Sequence, residues 1–138
     1  MPIVLDCSTT MGWCFEDEAS RFADRALNAL QETEGLVPSI WTLEVINVLL
    51  VAERHGRLTE AGTTRFLDLL GDLPIRVEER DASVAFGNVL ACGRRFGLTS
   101  YDAAYLDLAM RTGAPLATRD RKLRKACRGA GVELFGGA

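Results

Sequence analysis

Several residue types and patterns that mark common protein classes are scarce or absent in this sequence. His55 is the only histidine among 138 residues, so one chain cannot assemble a mechanism that needs two imidazoles. No apolar run approaches the roughly 18 residues that a membrane-spanning helix needs. The first residues lack the basic region and the long apolar stretch of a secretory signal. We therefore expect neither secretion nor membrane insertion, and we predict a cytoplasmic protein.

The cysteines also lack the pattern of a metal or disulfide framework. None of the four belongs to a C-x-x-C pair, and each lies in an apolar or helical context. In a chain without a secretory signal, such cysteines are typical of small core residues in a reducing compartment. We expect this of all four, namely Cys7, Cys14, Cys92 and Cys127.

The composition is that of an ordinary globular protein, with 48% hydrophobic and 25% charged residues. A length of 138 residues is close to the commonest size of one domain and allows a substantial buried core. No repeat, low-complexity tract or linker interrupts the chain. We predict a single domain over residues 1–138.

The net charge of -3 conceals an uneven distribution along the chain. Residues 1–90 hold seven basic and 15 acidic residues, whereas residues 91–138 hold nine basic and four acidic ones. Much of the positive charge lies in residues 119–128, which form either a solvated helix face or a basic flank for a polyanion. A pI near 5.2 argues against a basic DNA-binding domain. It is compatible with an enzyme that handles RNA briefly.

Short apolar runs alternate with longer helical patterns along the whole chain. The pattern predicts strands at residues 2–5, 36–38, 75–77, 114–117 and 132–134. It predicts helices at residues 8–15 (capped by Ser8), 20–30, 41–53, 59–70, 82–95, 99–111 and 120–128. This alternation indicates an α/β fold with a parallel sheet of four or five short strands between helical layers. Ligands of such folds bind at the carboxyl ends of the strands.

Three acidic residues occupy positions that this fold places at the carboxyl edge of the sheet. Asp6 directly follows the apolar run Ile3-Val4-Leu5, and Asp120 lies just past the fourth predicted strand. Asp102 lies near the start of a helix, where it forms a capping-box pattern with Thr99. Each acid also has a structural interpretation, since aspartates commonly occupy turns and helix caps.

Glu44 is a fourth candidate because it interrupts an otherwise apolar helix. Residues 41–52 place apolar side chains around most of the axis, which predicts a helix buried on nearly all sides. A buried carboxylate is costly without a cation or a hydrogen-bond partner. Asn47 shares the face of Glu44. The alternative is a narrow stripe that faces solvent.

Carboxylates that converge within a few ångströms repel one another and raise each other's pKa values. A hard divalent cation relieves this repulsion, and ligands that are all oxygen suit Mg²⁺ or Mn²⁺ rather than zinc. Such a cation activates water and stabilises the charge that develops on a phosphate. The four acids therefore predict metal-assisted phosphodiester hydrolysis.

Four segments carry a resemblance to a known family, and they occur in order along nearly the whole chain. They are Val4-Leu5-Asp6-Cys7-Ser8, Trp41 to Leu49, Thr99-Ser100-Tyr101-Asp102-Ala103-Ala104-Tyr105, and Leu116 to Leu123. Together they resemble a PIN-domain ribonuclease, and more narrowly the VapC-type toxin of bacterial toxin–antitoxin pairs. Cys7 departs from the small residue that is more usual in the family, and Asp107 is not part of the pattern.

The resemblance implies a three-layer α/β/α fold with an acidic metal pocket. It assigns Asp6 and Asp102 as direct metal ligands, with Glu44 and Asp120 completing the catalytic set. It assigns supporting roles to three polar residues, Ser8, Asn47 and Thr118. The basic residues that could contact RNA phosphates are Arg119, Arg121, Lys122 and Arg124.

The implied function is that of a Mg²⁺-dependent endoribonuclease toxin acting on tRNA or rRNA. The resemblance implies a small antitoxin, docked on the helices between Trp41 and Leu70, and a homodimer. A housekeeping RNA-processing nuclease and an inactive RNA-binding or scaffold protein remain alternatives. A signalling receiver module needs a phosphoacceptor aspartate after the third strand and a lysine after a later strand. Here Glu78-Glu79-Arg80 follows the third strand, and both lysines, Lys122 and Lys125, lie in the last helix, so this class fits poorly.

Overall fold

The computed structural model describes residues 1–15 and 20–137, and places four short parallel strands between helices. The strands are β1 (Ile3–Leu5), β2 (Gly35–Pro38), β3 (Ile75–Glu78) and β4 (Leu116–Ala117). The helices of the described residues are α1 (Cys7–Met11), α2 (Arg21–Ala29), α3 (Ile40–Arg54), α4 (Glu60–Asp72), α5 (Ala82–Phe96), α6 (Ser100–Thr112) and α7 (Arg121–Ala130). The predicted domain also includes residues 16–19 and 138, which lie outside the described residues.

The sheet has the strand order β3-β2-β1-β4, and all neighbouring strands are parallel. Val4 at the centre pairs with Leu36 of β2 on one side and with Leu116 of β4 on the other. The chain adds β2 and β3 on one side of β1 and then crosses to the other side to add β4. The carboxyl ends of β1 and β4 therefore flank the point where the strand order reverses, which is where ligands of such folds bind. The predicted three-layer α/β/α fold is confirmed.

The core lies where the two central strands contact helix α6. Every residue of β1 and β2 is buried, as expected for strands that are covered on both faces. Helix α6 buries five consecutive residues, 105–109, since it packs against β1, β2, β4, α5 and α7. Asp107 belongs to this buried run and forms a salt bridge with Arg80, which compensates for the burial of its charge.

The first helix differs from its predicted form at both ends. Asp6, rather than Ser8, is its N-cap, because the Asp6 carboxylate accepts a hydrogen bond from the backbone N–H of Thr9. Ser8 therefore lies in the first turn of α1. The regular helix ends at Met11 instead of Phe15. The chain continues in turns in which an N–H donates to the carbonyl three residues earlier, as the Cys14 N–H does to the Met11 carbonyl.

The predicted fifth strand is reduced to a single bridge. Leu134 pairs with Leu116 in parallel, and the Leu116 N–H donates to the carbonyl of Glu133. Strand β4 has only two residues, so it offers no room for a longer ladder on this side. The segment still covers the edge of the sheet beside β4.

Helix α3 is not buried on nearly all sides, so that prediction is wrong. One face is buried, formed by Trp41, Val45, Leu49 and Ala52. Other apolar side chains of the helix remain exposed, namely Leu43, Ile46, Leu50 and Val51. Helix α3 packs mainly against α1 and β2, and these four side chains remain accessible to solvent.

The cysteine prediction is confirmed for two of the four residues. Cys92 and Cys127 are buried, as expected of small core residues. Cys7 and Cys14 are only partly buried, because they lie on α1 and in the turns after it, at the border of the core.

Among the described residues, no helix combines the length and the apolar character that crossing a membrane requires.

Candidate functional site

The four predicted acids come together at one cavity beside the carboxyl ends of β1 and β4. The cavity has a volume of about 320 Å³. Its lining consists of Asp6, Cys7, Ser8, Met11, Glu44, Val48, Asp102, Tyr105 and Asp120. The carboxylates arrive from four separate parts of the chain, namely the end of β1, helix α3, helix α6 and the start of α7.

Asp6 is held in place by hydrogen bonds to both its side chain and its backbone. Its Oδ1 accepts from the Thr9 N–H at 2.8 Å and from the Ser8 hydroxyl at 3.0 Å. Its carbonyl accepts from the Thr10 hydroxyl at 3.2 Å, and Thr10 Oγ1 in turn accepts from Trp41 Nε1 at 3.0 Å. The side chain is buried but still reaches the cavity. The capping and cavity interpretations of Asp6 therefore both hold.

Asp120 combines the same two roles at the end of β4. It is the N-cap of α7, and its Oδ1 accepts from the Leu123 N–H at 2.8 Å. Its own N–H donates to Thr118 Oγ1 at 3.0 Å. Thr118 is fully buried and does not line the cavity, so its observed contact is with the backbone of Asp120.

Asp102 lies in the first turn of α6 and is half-buried. Thr99 caps this helix by accepting a hydrogen bond from the Asp102 N–H at 3.2 Å. Burial raises the pKa of Asp102, and the negative charges of Asp120 and Asp6 raise it further, against an opposing effect of Lys122. Asp120 and Asp6 are thus close enough to disfavour the ionisation of Asp102.

Glu44 is half-buried, and its carboxylate has a specific partner. The hydroxyl of Tyr105 donates a hydrogen bond of 2.6 Å to Glu44 Oε1. Burial is the largest effect on the pKa of Glu44 and raises it; the Tyr105 hydrogen bond opposes this, while Asp102 and Asp6 add to it. The predicted need of this acid for a partner is therefore met by a neutral donor.

Tyr105 is a site residue that the sequence reasoning missed. It lies three residues after Asp102, so both side chains project from the same side of α6. It is 1% exposed, and a buried phenol requires a hydrogen-bond partner. That spacing, together with the need for a partner, is the signal that could have identified it.

Several predicted residues lie outside the cavity lining. Asn47 is exposed on α3, although Glu44 lies three residues before it. Arg119, Arg121 and Lys122 are exposed at the start of α7, next to Asp120. Arg124 is only partly exposed, and its guanidinium donates to the carbonyls of Thr118 and Gly137. Arg124 therefore ties the C-terminal segment to the end of β4.

The lining offers four carboxylates, which are the hard oxygen donors that suit Mg²⁺. Within residues 1–15 and 20–137, however, no three histidine, cysteine or acidic side chains already form a group that could hold a metal ion. The donor types fit a divalent cation, and the side chains would have to move closer together to coordinate one. Acidic neighbours raise the pKa values of Glu44 and Asp102, and this repulsion is what a cation would relieve.

Comparison with known proteins places this arrangement in a family. A model of the PIN domain matches residues 3–129, which include all four acids of the cavity. The chain belongs to the PIN-domain family. The family resemblance inferred from the four sequence segments is confirmed.

Individual proteins match this chain over most of their length. Ribonuclease VapC3 of Pyrobaculum aerophilum is 31% identical over 123 residues, which are 89% of this chain and 92% of the relative. The crystal structure of PAE2754 from the same organism has a TM-score of 0.71 at 22% identity, covering 100% of this chain and 88% of that one. VapBC2 from Rickettsia felis, solved bound to a DNA fragment from its promoter, has a TM-score of 0.69 at 14% identity, with 97% of each chain covered.

Proposed function

We propose that the protein is a Mg²⁺-dependent endoribonuclease, that Mn²⁺ can replace Mg²⁺, and that it acts as the toxin of a toxin–antitoxin pair in the cytoplasm. The observation that carries the proposal is the convergence of Asp6, Glu44, Asp102 and Asp120 on one cavity at the reversal point of the sheet. The PIN-domain match and the similarity to a ribonuclease of the VapC type support the same activity.

The four carboxylates would differ in how directly they contact the cation. Asp6 and Asp102 would be its direct ligands, and Glu44 and Asp120 would complete the site directly or through water. When bound, such a cation supplies Lewis-acid chemistry for phosphodiester hydrolysis, because it activates water and neutralises developing negative charge. The residues of this chain fix the geometry: the Thr9 N–H and the Ser8 hydroxyl orient Asp6, and Thr118 and the start of α7 orient Asp120.

The proposed substrate is single-stranded or looped RNA, with tRNA or rRNA as the cellular targets. Arg119, Arg121 and Lys122 are exposed beside Asp120, where they could contact phosphates on either side of the scissile bond. Arg124 is less available for phosphate contact, because its guanidinium already donates to two backbone carbonyls. These basic residues also offset the negative field of the cavity, which would otherwise repel RNA.

The test is cleavage of a labelled RNA by purified protein with Mg²⁺, with Mn²⁺ and with EDTA. We expect cleavage with either cation, loss of cleavage in EDTA, and no cleavage by the Asp6→Asn and Asp102→Asn variants. Asp68→Asn, which changes an exposed acid on α4, is the matched control and should cleave like the wild type. RNA binding without cleavage in the wild type would indicate the inactive RNA-binding alternative instead.

The proposed antitoxin would cover the exposed apolar side chains of α3 and α4. Leu43 is 63% exposed and Leu50 is 43% exposed on α3, and Leu67 is 45% exposed on α4. An amphipathic segment fits such a surface, and an arginine on it could reach the acids of the cavity. Co-purification of the chain with the product of a short upstream reading frame tests this pairing, and Leu43→Asp should weaken it.

The proposed homodimer would form through α5. In this helix, whose 15 residues are all described, only Cys92 is buried. Phe86 is 75% exposed and lines an apolar groove of about 630 Å³ between α5 and α6. The same face of α5 therefore carries a projecting aromatic side chain and a groove that could receive one. Acidic Asp81 precedes the helix, and basic Arg94 and Arg95 lie in its last turn. Antiparallel pairing of two α5 helices about a two-fold axis would bring these opposite charges together.

A further inference from the structure

Tyr105 occupies a position between the core and the acidic cavity. Its ring belongs to the core and is 1% exposed, whereas its hydroxyl reaches the cavity and donates to Glu44 Oε1 at 2.6 Å. The same helix carries Asp102 one turn earlier. The rigid helix α6 therefore places both an acid of the cavity and the partner of a second acid.

Glu44 depends on such a partner more than Asp6 and Asp120 do. Asp6 accepts from the Thr9 N–H, and Asp120 accepts from the Leu123 N–H, so the backbone of a helix start holds each of them. Glu44 is the fifth residue of α3, where its own N–H and those that follow are already used within the helix. Its carboxylate instead accepts a hydrogen bond from the side chain of Tyr105.

The hydroxyl acts as a donor, and its own environment keeps it protonated. Burial raises the pKa of Tyr105 far above its ordinary value, and the hydrogen bond to Glu44 raises it further. A donor of this kind reduces the cost of burying the Glu44 carboxylate. It also fixes one oxygen of the carboxylate and leaves the other oxygen available.

We propose that Tyr105 is the positioning residue for Glu44: its buried hydroxyl holds the carboxylate directed into the cavity, ready to complete the site of the divalent cation. This inference rests on the proposed function and names one further residue of that site. Tyr105 itself contacts neither the cation nor the RNA in this role. Its effect on catalysis passes through Glu44.

The test replaces Tyr105 by phenylalanine, which removes the hydroxyl and keeps the ring in the core. We expect Tyr105→Phe to weaken Mn²⁺ binding, measured by calorimetry on RNA-free protein, by about ten-fold. In RNA cleavage at fixed Mn²⁺ we expect kcat to fall while KM for RNA stays within two-fold of the wild type. Tyr101→Phe is the matched control, because it makes the same chemical change at a 55% exposed residue of α6, and it should behave like the wild type.

A double-mutant comparison separates positioning from a merely structural effect. If Tyr105 acts through Glu44, then Tyr105→Phe should change Mn²⁺ affinity in the wild type and leave it unchanged in a Glu44→Ala background. If Tyr105→Phe does not fold, Glu44→Asp supplies the second test, because it keeps the carboxylate and draws it back from the Tyr105 hydroxyl. Mn²⁺ binding should then weaken, and an unchanged affinity would overturn the assignment. An equal loss in both backgrounds, or no loss in either, would overturn the assignment. Absence of Mn²⁺ binding in the wild type itself would instead overturn the proposed metal site and this inference together.

Discussion

The salt bridge between Arg80 and Asp107 connects the loop after β3 to helix α6, and its removal should destabilise the fold. The side chain of Asp107 is 10% exposed and that of Arg80 is 17% exposed, so both charges are largely removed from water. Arg111, one turn further along α6, adds a longer contact of 3.8 Å to the same carboxylate oxygen. Asp107→Asn keeps the shape of the side chain and removes its charge, which leaves two arginines facing a neutral group.

The size of the effect follows from the burial of the pair. Removing one partner of a fully buried salt bridge costs about 3 to 5 kcal/mol, because the other charge is left without compensation. Some exposure of Arg80 and the remaining hydrogen-bonding capacity of asparagine reduce this, so we expect a loss of about 2 to 4 kcal/mol. The exposed pair of Arg76 and Glu34, with side chains 56% and 42% exposed, is the control. Glu34→Gln should cost about 0 to 1 kcal/mol.

Urea unfolding followed by circular dichroism measures both variants against the wild type. At about 4 °C per kcal/mol for a chain of this size, thermal unfolding should show the same ranking, with Asp107→Asn melting clearly below Glu34→Gln. High salt should reduce the small effect of Glu34→Gln and leave that of Asp107→Asn largely intact, since buried pairs are screened less. Equal free energies of unfolding for the two variants would refute the reasoning from burial.

Three further predictions concern the cavity, the basic residues at the start of α7, and α5. Because burial and its acidic neighbours raise the pKa of Asp102 above the ordinary 3.8, the folded protein binds the proton more tightly than the unfolded chain. In thermal melts with EDTA, the melting temperature of the wild type should therefore fall relative to that of Asp102→Asn as the pH rises above about 4. The same pH dependence in both proteins would contradict this. Lys122→Ala should weaken RNA binding, measured on the Asp6→Asn background, and reduce its salt slope by about one; an unchanged slope would remove Lys122 from the interface. Phe86→Glu should convert the proposed dimer to a monomer in sedimentation, and an unchanged mass would exclude the α5 face.

Much of the fold could be predicted because the deciding signals are local. The alternation of apolar runs and helical patterns identifies the elements, and capping residues such as Ser20, Thr59 and Thr99 mark helix starts within the sequence itself. Asp6 and Asp120 could be selected among the acids for the same reason, since each directly follows a short apolar strand. Their positions depend on the chain immediately around them.

The remaining features depend on residues that are far apart in the chain. The partner of Glu44 lies 61 residues away, and the partner of Asp107 lies 27 residues before it. The apolar residues of α3 surround its axis, so no polar stripe indicates which face packs and which stays exposed. The bridge at Leu134 depends on the length of β4, which the pattern of residues 114–117 overestimates.

The central claim is that the four carboxylates form one divalent-cation site, and anomalous diffraction from crystals grown with Mn²⁺ tests it most directly. We predict an anomalous peak in the cavity, about 2.0 to 2.2 Å from oxygens of Asp6 and Asp102. We further predict that the peak is absent in crystals of the Asp102→Asn variant. A wild-type map without a peak in this cavity, or with Mn²⁺ bound only elsewhere on the surface, would contradict the assignment.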